Sequence, residues 1–343
     1  MGCATLLYCQ LNVAQEKKEY TINTIAFYNL ENLFDTVDDP TTFDDDKTPE
    51  GKDHWTQEFY ENKIQNMAKV ISDIGQETAK NTPVIIGVAE IENRKVLEDL
   101  INTSFLSLKD YGIIHFDSPD RRGIDVGLLY QKKLFIPKNS TSYPLKIYDK
   151  QTNERVYTRD QLVVSGYLDG DLIHIIVNHW PSRRGGEQKS SYKREAAARL
   201  NKKIMDSLFA ENPYAKIISM GDFNDNPDNN SVKEVLNVQH TKQNLQTKML
   251  YTPMAKMMKK GMGSLAWGDQ WFLFDQMILS SSLLTTDYST YAYYQSGIFS
   301  PDYLRTPSGK YEGYPFRSFN RGQYTFGYSD HFPVYLYLIK AKR

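Results

Sequence analysis

Apolar positions recur along the chain in two periods, and each change of period marks a change of element. Thr21–Tyr28 alternates apolar and polar residues, the pattern of an edge or half-buried strand. Gln57–Ile74 instead sets Ile64, Met67, Ala68 and Ile71 on one face, which predicts an amphipathic helix. Pro83–Ala89 is a nearly continuous apolar run, as expected of a strand covered on both faces, and Glu90 terminates it. The same reading predicts strands over Ile124–Tyr130, Gln161–Leu168, Asp171–Val177, Lys216–Met220, Phe272–Leu279 and Phe332–Ile339, with helices over Arg94–Ile101 and Glu187–Phe209. Strands interleaved with helices imply packed sheets covered by helices. Asp35–Asp53, with Pro40, Pro49 and Gly51 as breakers, is a long acidic loop. Its carboxylates lack the spacing of a calcium loop and read as solvated. Leu245–Leu265 is methionine-rich and reads as an adaptable surface element, with a substrate lip as the alternative. Tyr288–Gln323, rich in Tyr, Gly, Ser and Pro, is a second long excursion.

Composition narrows this picture in three ways. A chain of 343 residues, 40% of them hydrophobic, can bury a large core, and its 24 Tyr and 16 Phe favour sheet over helical bundle. The only cysteines, Cys3 and Cys9, precede the first predicted element, so the folded body holds neither a disulfide framework nor a cysteine zinc site. Any metal must therefore be bound by oxygen or imidazole. A net charge of -1 neither advertises nor excludes a nucleic-acid partner. The apolar stretch Ala4–Cys9, followed by Leu11–Ala14 and then Glu16–Glu19, resembles the end of a secretory signal cleaved near Ala14 or Gln15. A cytosolic leader is the alternative, because no positive residue precedes the apolar stretch. The expectation is a leader over residues 1–20, one domain over 21–343, and a secreted or periplasmic protein. No other segment approaches the ~20 apolar residues of a membrane span.

Polar clusters stand where the predicted strands begin and end. Asn29 and Glu31 follow the first strand, two residues apart and so pointing the same way if the strand continues. Glu90 directly follows a buried strand, where a cation explains a carboxylate better than solvent does. Asn178-His179 is followed by Arg183-Arg184 and two glycines, and guanidinium forks suit phosphate oxygens. Asp222 and Asn224 sit in Gly221-Asp222-Phe223-Asn224 at the end of another buried strand. Asp330-His331 opens the last strand, and Asp275, or another acid, is available to fix the tautomer of His331. Each cluster alone is open to a structural reading, as an Asx turn or a satisfied core histidine.

Taken in order, these clusters resemble the endonuclease/exonuclease/phosphatase superfamily, from about Thr21 to the C-terminus. The resemblance implies an α/β (α+β) fold, a four-layered sandwich of two face-to-face mixed, mostly antiparallel sheets flanked by helices. It further implies Mg²⁺, with Mn²⁺ or Ca²⁺ as substitutes, held by Glu90 with Asn29, Glu31 and Asp330 nearby. By the same resemblance Asp222 orients or deprotonates the attacking water and Asn224 donates to a phosphate oxygen. His331, polarised by Asp275, and His179 contact the phosphate, His179 being also a candidate general acid. Asn178, Arg122, Arg183 and Arg184 fall among the phosphate- and substrate-binding positions; for Arg122 and its neighbour Arg121 a solvated charge pair is an equal alternative.

The resemblance settles the reaction class better than the substrate. A nuclease acting on DNA or RNA is the first expectation, favoured by Arg183, Arg184, Lys189, Lys193 and Arg194, which could follow a polyanion. The alternatives are an inositol- or sugar-phosphate phosphatase, a sphingomyelinase-like lipase using the aromatic Tyr288–Tyr303 as its interface, and an inactive binding protein. No stable protein partner is implied.

Overall fold

The computed structural model describes residues 18–342, so the signal-like segment and both cysteines lie outside the described residues. The principal elements, in chain order, are β1 (Tyr20–Leu33), α1 (Gln57–Asp73), β2 (Ile85–Ile91), α2 (Arg94–Ile101), β3 (Tyr111–His115), β4 (Asp125–Gln131), β5 (Phe135–Tyr143), β6 (Gln161–Leu168), β7 (Asp171–His179), α3 (Glu187–Glu211), β8 (Lys216–Asp222), β9 (Val238–Gln239), β10 (Leu250–Tyr251), β11 (Asp275–Ser280), β12 (Ala292–Ile298) and β13 (Val334–Ala341). They form a six-stranded sheet ordered β12-β13-β1-β2-β4-β3 and a seven-stranded sheet ordered β9-β10-β11-β8-β7-β6-β5. At the centre of each sheet lies one parallel pair, β1/β2 and β7/β8, joined on both sides to antiparallel strands.

Period-two alternation builds the layers. Ile25 and Phe27 face the second sheet and pack with Ile175, Val177, Ile218, Met220 and Met277 in an inter-sheet core. The intervening Ala26 and Tyr28 face outward, onto Met67, Ile71, Leu97 and Leu100 of α1 and α2. On the opposite side Ile176, Ile217 and Ile278 pack against Ala197, Ala198, Ile204 and Met205 of α3. The helices start where their caps dictate: the Thr56 hydroxyl accepts from the Phe59 amide at 3.3 Å and the Asn93 side chain from the Val96 amide at 3.1 Å. The result is the four-layered sandwich, helices outside and two sheets within.

Of these strands β3, β5, β9, β10 and β12 escape the sequence reading. All but β10 are sheet edges, and β9 and β10 are only two residues long. An edge strand need not be covered on both faces, so β5, reading Phe-Ile-Pro-Lys-Asn-Ser-Thr-Ser-Tyr and largely exposed, carries no clear apolar period. The methionine-rich segment is mostly packing: Met254 is wholly buried and Met257 and Met258 rest on the inter-sheet core.

Candidate active site

The sheet topology gathers the chemistry on one rim. The parallel strands β1, β2, β7 and β8 end there, and their antiparallel neighbours β11 and β13 begin there. Register then aligns the side chains: Asp222 lies opposite His179 on one side and Asp275 on the other. His179, Asp222 and Asp275 share the alternation of Val177, Met220 and Met277, so all three face the other sheet. From that sheet Asn29, in step with Ile25 and Phe27, reaches across, and its amide donates to Asp222 Oδ2 at 3.3 Å. The pairing requires Gly221, because a Cβ there would collide with the backbone oxygen of Asn178.

Just before β13, His331 Nδ1 lies 2.6 Å from Asp275 Oδ2, which also accepts from the Ser264 hydroxyl at 2.5 Å. Burial opposes a charge on His331, but the carboxylates of Asp275, Asp222 and Asp330 outweigh it and hold the imidazole well above its ordinary range, protonated. His179 is the converse: burial, reinforced by Arg159, Arg122 and His331, pushes it well below its ordinary range and keeps it neutral. Its Nε2 stands 3.6 Å from Asp222 Oδ2 and 3.7 Å from Glu90 Oε1. Asp222 is raised to about 7, by burial first, with Asp275 and Glu90 adding to it against His331. Its Oδ1 accepts from the Asn224 backbone amide at 2.8 Å. Two imidazoles with opposed proton affinities beside a carboxylate of near-neutral affinity form a constellation suited to acid–base work.

Glu90 reaches the rim through a backbone device. Strict alternation would turn it toward the helices with Ile86 and Val88, but it adopts φ 59° at a register break in the β2–β4 ladder. The first strand breaks register likewise, between Asn29 and Leu33, with Glu31 at φ 49° and Asn32 at φ 54°. Glu90 Oε2 accepts from the Asn32 amide at 3.0 Å, and Asn29 Oδ1 from the Glu31 amide at 2.9 Å. Glu31 departs from the expected ligand role: its Oε2 already accepts from the Ser318 amide at 2.6 Å and hydroxyl at 2.8 Å, and its Oε1 faces Arg317 Nε at 3.3 Å. Burial and Asp330 raise it to about 6. Asp330 remains partly open and pairs with Arg317 at 3.1 Å. The donor set fits a hard divalent cation: Glu90, Asp330 and Asn29 offer oxygen only, and burial first, then neighbouring carboxylates, raises Glu31 and Asp222 beside them. Glu90 and Asp330 would hold such an ion, with the Asn29 side-chain oxygen adjoining.

Several expected phosphate contacts point elsewhere. Asn178 has the alternation of Ile176, so it faces α3; its amide donates to Ser219 Oγ at 3.0 Å and Met220 O at 3.1 Å, and its oxygen accepts from Asn201 at 2.7 Å and Trp180 Nε1 at 3.1 Å. Fully buried and engaged, it cannot contact substrate. Arg183 donates to the Asn224 backbone oxygen at 2.9 Å, Asp225 at 3.1 Å and Asn229 at 2.8 Å, and its guanidinium stacks over Phe274 at 4.5 Å. Arg194 is buried with Nε 2.7 Å from Asp225. Both arginines clamp the loop carrying Asn224, because Asp225 is a buried carboxylate that needs cationic partners. The expected basic track shrinks to exposed Arg184 and Lys189 and half-exposed Lys193. Arg122 stays exposed, loosely paired with Asp120 at 3.5 Å, yet close enough to depress His179. Asn224, at φ 51°, donates one amide hydrogen to Trp180 O at 3.0 Å and keeps the other. In the aromatic Tyr288–Tyr303, Tyr291 is fully buried and Tyr303 bonds Asp73 at 2.7 Å, which leaves Tyr294 as the one largely exposed ring of the segment.

Arg159 was missed. Buried below the rim, it donates to Asp120 at 3.0 Å and to Trp180 O at 2.6 Å, beside His179. Its one sequence signal is a cation at the head of a buried strand. Arg317 and Lys63, which brace Glu31, carried no signal at all. A separate group, His115 on β3, Asp125 on β4 and Asp117 in the loop between them, brings ligand atoms within 4.8 Å of one another, with His115 Nε2 2.9 Å from Asp125.

Residues 24–340 match the model of the Endonuclease/Exonuclease/phosphatase family, and the chain belongs to that family, a class of hydrolases acting on phosphoester bonds. Among solved structures it resembles an endonuclease/exonuclease/phosphatase family protein from Bacteroides thetaiotaomicron, at 16% identity and TM-score 0.54, covering 94% of this chain and 97% of that one. TDP2 from D. rerio, complexed with single strand DNA product, shares 14% identity at TM-score 0.53 over 93% of this chain and 99% of that one. These likenesses establish the fold. No curated protein sequence matches the chain.

Proposed function

We propose that the protein is a divalent-metal-dependent phosphodiesterase acting on nucleic acid, and that it is exported, with residues 1–20 a leader and 21–343 one domain. The observation that carries the chemistry is the meeting of the His331–Asp275 pair, Asp222 and His179 across two sheets on one rim. Asp222, oriented by the Asn224 and Asn29 amides, accepts the proton of the attacking water. His331 keeps its Nδ1 proton on Asp275 and presents its Nε2 proton to a phosphate oxygen, where the imidazolium charge opposes the charge developing in the transition state. Neutral His179 serves as a hydrogen-bond donor, which suits it less to the general-acid role. The spare Asn224 amide hydrogen and the exposed Arg122 meet the remaining oxygens. Glu90 and Asp330 would hold a divalent cation, which when bound would supply Lewis-acid neutralisation of the phosphate charge.

The test is a parallel incubation with Mg²⁺, Mn²⁺ or Ca²⁺ against plasmid DNA, RNA, sphingomyelin vesicles and an inositol phosphate, with His331→Ala as the blank. Cleavage of plasmid or RNA that the blank lacks is the expected result. Phosphate or phosphocholine release with intact nucleic acid would move the substrate to a small ester or lipid. Amino-terminal sequencing of the mature protein tests the leader.

A further inference from the structure

A cleft of about 410 Å³ opens beside the rim, bounded by Asp330 and Arg317 and lined by Trp267, Lys310, Tyr311 and Tyr314. Its walls come from two segments with no place in the catalytic constellation. One is a hairpin, Leu265–Trp267 paired with Gln270–Phe272, whose two-residue turn Gly268-Asp269 has φ 57° and 61°, both in the left-handed region that such tight turns require. The other is the excursion around residues 306–317. Trp267, closing the hairpin turn, is 72% exposed, although a tryptophan normally buries most of its surface.

The cleft is tied to the chemistry. Ser264, at the foot of the hairpin, bonds Asp275 and accepts the Phe332 amide at 2.7 Å. From Phe332, next to His331, the aromatic rings run outward: Phe332 stacks on Trp271 at 6.1 Å and 18°, Trp271 meets Tyr314 at 5.4 Å, and Tyr314 meets Tyr311 at 6.0 Å. Tyr311 is 40% exposed. A chain of aromatic rings in stacked, edge and tilted contact leading away from a phosphate site, with exposed Trp267 across the cleft and Lys310 and Arg317 beside it, has the make-up of a base-stacking platform along a polyanion.

We propose that this cleft holds one unpaired base of a single-stranded nucleic acid, the base flanking the phosphate at His331. A duplex covers both faces of every base with its neighbours, so only an unpaired base has a face to offer. The inference rests on the nucleic-acid reading above and adds strand state to it. A small phosphate monoester would leave the aromatic row without use.

Binding in EDTA separates the two readings, because it needs no turnover. Oligothymidylate, the same length of base-less abasic strand, and a duplex are titrated against the full chain, following tryptophan fluorescence and the anisotropy of a labelled strand. Trp55 and Trp180 are buried, so quenching reports on Trp267 and Trp271. The expected result is quenching by oligothymidylate, weaker binding of the abasic strand, and a loss of about 5- to 150-fold in oligothymidylate affinity on Trp267→Ala, the range of one base–aromatic stack. In that variant, and in Tyr311→Ala, the preference for base-bearing over abasic strand falls toward one. Equal binding of abasic and base-bearing strands by the wild type, an unchanged preference in both variants, or quenching by sphingomyelin vesicles and not by oligonucleotide would overturn the proposal. Base-dependent binding without cleavage would leave the cleft and remove the nuclease reading; cleavage without base dependence would do the reverse.

Discussion

Replacing Asp275 with Asn tests the central pairing at nearly constant volume. In the wild type the carboxylate lies 2.6 Å from His331 Nδ1 and is foremost among the groups that keep this buried imidazole charged. A charge-assisted hydrogen bond contributes about 1.5–3 kcal/mol, so its loss alone lowers the charged, oriented imidazole by roughly 10- to 150-fold. The neutral ring that remains also loses its electrostatic hold on the phosphate, an effect of about 10²–10³ in rate for one preorganised donor. The two losses describe the same group and do not multiply, so kcat should fall about 10²–10³. The assay is hydrolysis of bis(4-nitrophenyl) phosphate with Mg²⁺, which does not depend on the natural substrate, alongside a thermal melt by circular dichroism. The amide is isosteric and can still accept from Ser264, so the melting temperature should move by no more than a few degrees. A variant within about fivefold of wild-type kcat, equally folded, would refute the role given to the Asp275–His331 pair.

The other predictions separate catalytic from structural parts of the rim. Chelation by EDTA should abolish hydrolysis, and Glu90→Gln should raise the Mg²⁺ needed for half-maximal rate by at least tenfold; an undiminished rate in EDTA would remove the metal role. Asn178→Ala should cost about 2–4 kcal/mol in urea denaturation, because Trp180, Asn201 and Met220 lose a buried partner, while KM of the folded enzyme stays put; a large KM change at unchanged stability would restore it as a substrate contact. Arg184→Ala should reduce the slope of log K against log salt for oligonucleotide binding by about 1, as expected of one phosphate contact. Arg183→Ala should instead lower kcat about tenfold with little change in that slope, because it holds the backbone of Asn224; the opposite pattern would place Arg183 on the substrate.

Much of this molecule was legible in its sequence. The buried strands, both long helices and the rim positions of Asn29, His179 and Asp222 follow from apolar runs ending in polar clusters, whereas Asp275 read as the interior of a strand over Phe272–Leu279 and reaches the rim because that strand begins at Asp275. Alternation also carried unused information: Asn178 shares the parity of Ile176, so its turn toward α3 was already written in the strand. What the pattern could not convey is what depends on distant partners. Glu90 faces the rim only because the backbone breaks register at φ 59°. Glu31 is taken up by Ser318, 287 residues away, and Arg183 by a buried Asp225. The aromatic cleft joins a hairpin and an excursion whose residues read, locally, as loop. Periodicity records how each residue meets its own neighbours in the chain, whereas the direction of a charged side chain is set by which strands pair and in what register. The sequence by itself therefore determined the buried strands, the helices, their layering and most of the rim; only the tertiary structure decided the edge strands, which polar groups on that rim face one another and which are spent holding it together.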